Sequence, residues 1–131
     1  MKATPPKIPA KWAWHYRTLI QLRERLDAER VEHSNAMRAS VEKGGSDAVD
    51  LATDRLEHDV LFAALAAEEN ELVEVDAALE RLQKGTYGVC VVSGKPIAAE
   101  RLRVLPWTRY SQEVAARREA AKALANDFLK V

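Results

Sequence analysis

The chain has 131 residues, in which twenty Lys and Arg balance twenty Asp and Glu around a single cysteine. That length suits one folding unit with a modest core. The balanced charge supplies no overall positive field for neutralising phosphates, and one thiol excludes an intramolecular disulfide and a cysteine-rich metal site. With five Gly, five Pro and abundant Ala, Leu, Glu and Arg, the composition predicts a mostly α protein. No apolar run reaches the roughly 18 residues of a membrane span, and the first ten residues lack the apolar stretch of a signal peptide. A cytoplasmic protein with a protein partner is expected, without a membrane role and without sequence-specific DNA recognition.

Residues 1–10 carry Pro5, Pro6 and Pro9 and read as a flexible lead-in, with regular structure starting near Lys11. Residues 11–84 read as two long helices. The first runs from Trp12 to about Glu42 without Gly or Pro, opening with Leu19, Leu22 and Leu26 and diluting through His33, Ala36 and Ser40. Gly44, Gly45, Ser46 and Asp47 interrupt it with flexible residues and helix-capping candidates, which places a hairpin tip near 43–52. The second helix runs from about Ala48 to Lys84. His58, Leu65, Leu72 and Leu79 recur every seven residues, and Leu61, Glu68, Val75 and Leu82 each follow three later, a heptad seam with polar interruptions. At 1.5 Å per residue these helices make a coiled-coil hairpin on the order of 45 to 55 Å long.

Residues 85–131 form a small head. Gly85, Gly88, Gly94, Pro96 and Pro106 concentrate the breakers around the β-prone run Val89 to Val92. From about Ser111 to Leu129 the chain returns to helix, with Val114, Ala121, Leu124 and Phe128 expected to pack against the hairpin. The three tryptophans are expected to serve packing in the head and at the helix ends.

The stretch from Leu82 to Pro106 resembles the zinc-finger signature of the DksA/TraR transcription factors. It keeps Tyr87, Gly88, Cys90, Gly94, Ile97, Arg101, Leu102 and Pro106 at the family spacing. The four positions that would ligate zinc are Cys90, Ser93, Ser111 and Val114, of which only the first supplies a thiolate. Structural zinc takes four Cys or His ligands, and His15, His33 and His58 are all expected on the hairpin. The resemblance is therefore to a zinc-less variant, without a cofactor. Its head core is expected from Val89, Val91, Ile97, Leu102, Leu105, Trp107 and Tyr110. Cys90 reads as an inherited, partly buried thiol.

A second resemblance lies at the tip, where Asp47, Asp50 and Ala52 match the family's D-x-x-D-x-A motif at matching distance from Cys90. The family resemblance implies a monomeric, non-enzymatic regulator that binds RNA polymerase. Its arm would enter the secondary channel with the acidic tip near the active centre, altering promoter-complex stability. Asp47 and Asp50 are also ordinary helix-start residues. The positions that hold basic contacts to guanosine tetraphosphate in responsive members fall on Glu74, Leu105 and Ala115, implying weak or no alarmone dependence in the stringent response. Arg103, Arg109, Arg117 and Arg118 lie nearby in sequence. A coiled-coil adaptor without polymerase activity is the rival reading of the same hairpin. An enzyme is not supported, since no phosphate loop, metal cluster or Cys-His pair is present and Glu68, Glu69 and Glu71 read as a solvated face or a polar seam.

Overall fold

The computed structural model describes residues 7–43 and 48–129. A 3-10 turn at Ala10–Trp12 leads into α1 (Ala13–Lys43), followed by α2 (Ala48–Lys84), the short α3 (Ala99–Val104) and α4 (Gln112–Leu129). Among the described residues the only β pairing is a single antiparallel bridge, Val89 to Pro96. No described helix is long and apolar enough to cross a membrane. Gly44, Gly45, Ser46 and Asp47 lie outside the described residues.

The chain divides into two compact units, one of residues 1–19 and 77–131 and one of residues 20–76. In the second unit α1 and α2 form an antiparallel helical hairpin. Arg23 meets Asp76 at 2.7 Å and His33 meets Glu68 at 2.5 Å, so numbering falls along α2 as it rises along α1. Leu26 and Val75 are buried there, while Leu61, Leu65 and Leu72 are half-buried. The diluted seam of α1 continues through half-buried His33, Met37 and Ser40, whereas Ala36 is exposed. Glu68 is a buried seam member. Sliding α2 by one heptad would put Leu61 or Val75 opposite His33 and leave the buried Glu68 carboxylate without its hydrogen-bond partner, so the pair fixes the hairpin's register.

In the first unit, Pro9 holds an extended conformation and its carbonyl accepts the Trp12 N–H at 2.9 Å, so the first helical turn starts at Ala10. Helix α2 ends in a Schellman motif: Gly85 takes φ +78° and the Thr86 N–H reaches back to the Arg81 carbonyl at 3.0 Å. The turn-rich segment is then held by four backbone bonds: Cys90 to Lys95, Gly94 to Cys90, Ile97 to Gly88 and Val91 to Arg109, each 2.8 to 2.9 Å. Tyr87 donates its hydroxyl to the Pro106 carbonyl at 2.8 Å inside the core, and burial pushes its pKa up to about 12 despite the lowering influence of Arg81.

Two packing expectations are corrected in this unit. Val89 and Val91 are exposed, because they point outward on either side of inward-facing Cys90. The core is instead built from Leu19, Ala78, Leu79, Leu82, Tyr87, Cys90, Ile97, Leu102 and Val114. Leu105, Trp107 and Tyr110 are only half-buried. In α4, Val114 is buried but Ala121, Leu124 and Phe128 are exposed, so its apolar burial is confined to the first turn. Each large core side chain contributes about 1.5 to 3 kcal/mol by leaving water, and the outer turns of α4 contribute none of this.

Candidate functional site

The first candidate is the start of α2. Asp50 sits in the first turn, where a carboxylate complements the partial positive charge of free N–H groups, and its side chain is exposed. Ala52, also exposed, lies two positions on and so faces nearly the opposite side of the helix. Asp47, the remaining member of the motif, lies outside the described residues. Leu51 beside them is half exposed and Leu56 is exposed, so this end of the hairpin carries apolar side chains on its surface.

The second candidate comprises the four degenerate ligand positions. Cys90, Ser111 and Val114 are buried and Ser93 is exposed. The Cys90 sulfur is met by the Ser93 hydroxyl and by backbone N–H groups of Ser93, Ser111 and Val92, so the structure does bring three of the positions together. Burial pushes the thiol's pKa up, but these donors to the thiolate outweigh it and hold the value down at about 6. Ser111 has taken on a different task. Its Oγ accepts the Val114 N–H at 3.4 Å and its carbonyl accepts the Ala115 N–H at 2.9 Å, which makes it the N-cap of α4. Val114 packs in the core. One thiolate, two hydroxyls and an isopropyl group do not fit a tetrahedral zinc ion, which requires Cys or His donors at all four corners.

The histidines lie elsewhere. His33 pairs with Glu68 in the hairpin, and the other oxygen of that carboxylate, Oε2, is buried without a partner among the described residues. His15 is buried in an aromatic cluster that the sequence did not single out. Trp12, Trp14 and Tyr87 stand edge-on to it with ring centres 5.0, 5.0 and 5.7 Å away, and its Nδ1 has no partner among the described residues. Burial lowers its pKa from the ordinary value, and the charge of Arg103, which lies over Trp14, lowers it further. Trp12 also explains Gly88: a Cβ there would come within 2.7 Å of the indole, at a φ of +85°. The sequence signal at this position was the Tyr87-Gly88 pair, but the indole it meets lies 76 positions earlier and no local pattern joins them.

Glu74, Leu105 and Ala115, where the family resemblance implies alarmone contacts, are half-buried. More arginines gather around the loop at residues 107–110. Arg81 donates to the Trp107 and Thr108 carbonyls, Arg101 donates to the Tyr110 carbonyl at 3.0 Å, and Arg118 stacks on the Tyr110 ring at 4.5 Å.

Comparison with known proteins bears on this geometry. The family model for the prokaryotic dksA/traR C4-type zinc finger matches residues 85–120, the segment that carries all four degenerate positions. The solved structure of transcription factor DksA2 from Pseudomonas aeruginosa superposes with a TM-score of 0.76 at 29% identity, covering 87% of each chain. The family signature is thus matched in the segment after α2, and the likeness to DksA2 extends over both units. That neighbour is described as a transcription factor, and the helical hairpin seen here is part of the fold shared with it. Two curated relatives are general stress protein 16O of Bacillus subtilis (strain 168), 29% identical over 107 residues, and an uncharacterized protein of Aquifex aeolicus (strain VF5), 50% identical over 44 residues. These matches cover 77% and 34% of this chain, and 64% and 30% of the respective relatives.

Proposed function

We propose that this chain is a DksA/TraR-family protein that regulates transcription by binding RNA polymerase through the secondary channel, without structural zinc and with little or no response to guanosine tetraphosphate. The observation that carries the reading is the likeness to DksA2 along 87% of the chain, with exposed Asp50 in the opening turn of the second hairpin helix. In this reading the tip residues Asp47, Asp50 and Ala52 approach the polymerase active centre, and a negative charge there alters the lifetime of promoter complexes. The protein acts as a monomer in the cytoplasm and does not read DNA sequence.

Zinc is dispensable because the metal's structural work is divided among other interactions. Ser111 caps α4, Val114 fills the core and four donors hold the Cys90 sulfur. Alarmone dependence is weak because Glu74, Leu105 and Ala115 present no cation for phosphate. Capture of core RNA polymerase by the full chain, followed by promoter-complex lifetimes with and without it, tests the proposal. Binding together with a changed lifetime supports it. A folded chain that captures no polymerase leaves the coiled-coil adaptor reading in its place.

A further inference from the structure

The zero net charge conceals a separation between the two compact units. The unit of residues 1–19 and 77–131 holds fourteen Lys and Arg against five Asp and Glu, an excess of nine positive charges, and residues 20–76 hold six against fifteen. A basic excess of that size in one unit is the electrostatic footprint of a polyanion-binding surface, and a whole-chain count erases it.

Part of this charge is gathered in one place. Arg81 and Arg101 are anchored to the carbonyls of residues 107–110, Arg109 is in that loop, and Arg118 is fixed over the Tyr110 ring. Exposed Arg117 and Lys122 extend the array along α4, Lys122 lying one turn beyond Arg118. Acidic residues offset only part of it: Glu119 pairs with Lys122 at 3.9 Å, Glu80 pairs with Lys84 at 2.8 Å, and Glu113 and Asp127 also lie on α4, while the excess of the whole unit remains nine. Arg103 over Trp14 and Arg118 over Tyr110 cover aromatic faces that single-stranded bases would need for stacking. What this surface presents outward is therefore guanidinium and ammonium groups suited to phosphates.

We infer that the basic unit binds the phosphate backbone of duplex DNA, independently of sequence, through a surface centred on Arg117, Arg118 and Lys122. The inference goes beyond the polymerase reading and does not rest on it. Neutralised phosphates release counterions, so binding weakens steeply with salt and tolerates any base sequence.

The test uses the full chain and fluorescence anisotropy of two labelled duplexes of unrelated sequence, from about 50 to 200 mM salt, with no polymerase present. Both duplexes are expected to bind with the same affinity. The triple variant R117Q/R118Q/K122Q should bind at least tenfold more weakly at the lowest salt and flatten the log–log salt slope by about 2 to 3, or about 0.9 for each phosphate that is no longer neutralised. The same number of changes in the acidic unit, R25Q/R38Q/R55Q, should leave affinity and slope unchanged, with circular dichroism confirming that both variants are folded. Absence of binding at the lowest salt, or equal loss in both triple variants, overturns the inference. So does sedimentation showing that the complex forms only through self-association, which would assign the basic surface to the acidic unit of a second copy.

Discussion

Gly85 and Gly88 are three residues apart and both have positive φ, yet they are needed for different reasons. Around Gly85 there is open space, so Gly85→Ala meets only the conformational cost of a left-handed residue, about 1 kcal/mol. Gly88→Ala meets the same cost and also drives a methyl group into the Trp12 indole. Denaturant titration should show Gly88→Ala to be more destabilising by about 1 to 3 kcal/mol, within the usual range for overpacking; equal losses would mean that Trp12 moves aside freely. His15 makes a second prediction. Its folded-state pKa lies below the ordinary histidine value near 6.5, so the unfolded chain binds the proton more readily. The stability it contributes is complete above about pH 6.5, declines as pH falls below that value, and levels off once the folded-state imidazole is also protonated. Melting temperature measured between about pH 7.5 and 5 should fall more steeply in the native chain than in His15→Phe, which cannot titrate. Parallel curves would show that other groups set the acid response.

At the scale of elements, the segment after α2 is held by backbone bonds, a serine cap and a small core. If these suffice, elemental analysis of the purified protein should find substoichiometric zinc, and a chelator should leave the melting transition unshifted. Stoichiometric zinc with chelator-induced unfolding would mean that Cys90 recruits ligands the structure does not place beside it. The opening turn of α2 carries a second element-scale prediction, Asp50→Asn. The substitution preserves size and most hydrogen-bonding capacity while removing charge. Losing a favourable first-turn charge costs about 0.3 to 1 kcal/mol at an exposed site, so fold and polymerase affinity should change little while the effect on promoter-complex lifetime drops severalfold. Unchanged lifetimes with Asp50→Asn, beside loss of activity on hairpin truncation, would reduce the aspartate to a helix-start residue.

At the scale of the whole molecule, Glu74 lies on α2, Leu105 directly after α3 and Ala115 on α4, and none of the three carries a cation. With polymerase whose other alarmone site is disabled, guanosine tetraphosphate should change this protein's effect on promoter complexes less than about twofold, or about 0.4 kcal/mol. A strong enhancement abolished by Arg103→Ala, Arg109→Ala or Arg117→Ala would reveal a relocated site built from the arginines near residues 107–110.

Helix existence was legible from local chemistry. The absence of Gly and Pro over 13–43, the heptads of α2 and the breakers after Lys84 each act within a few residues, and α1 and α2 follow them closely. That Cys90, Ser93, Ser111 and Val114 offer a single thiol was legible for a similar reason, since donor chemistry is fixed by side-chain identity. The interior was less so. Val89 and Val91 have strand-forming side chains, but inward-facing Cys90 turns them outward, and the apolar residues of α4 beyond Val114 find no surface to cover them in their own unit. The sequence by itself determined the helices, the match to the family signature and the presence of Ser93, Ser111 and Val114 where that signature has cysteines, because these depend on residue type at short spacing. Only the tertiary structure decided that Trp12 would require Gly88, that Ser111 would cap a helix, and that balanced charge would separate into a basic and an acidic unit, because these depend on which distant segments fold together.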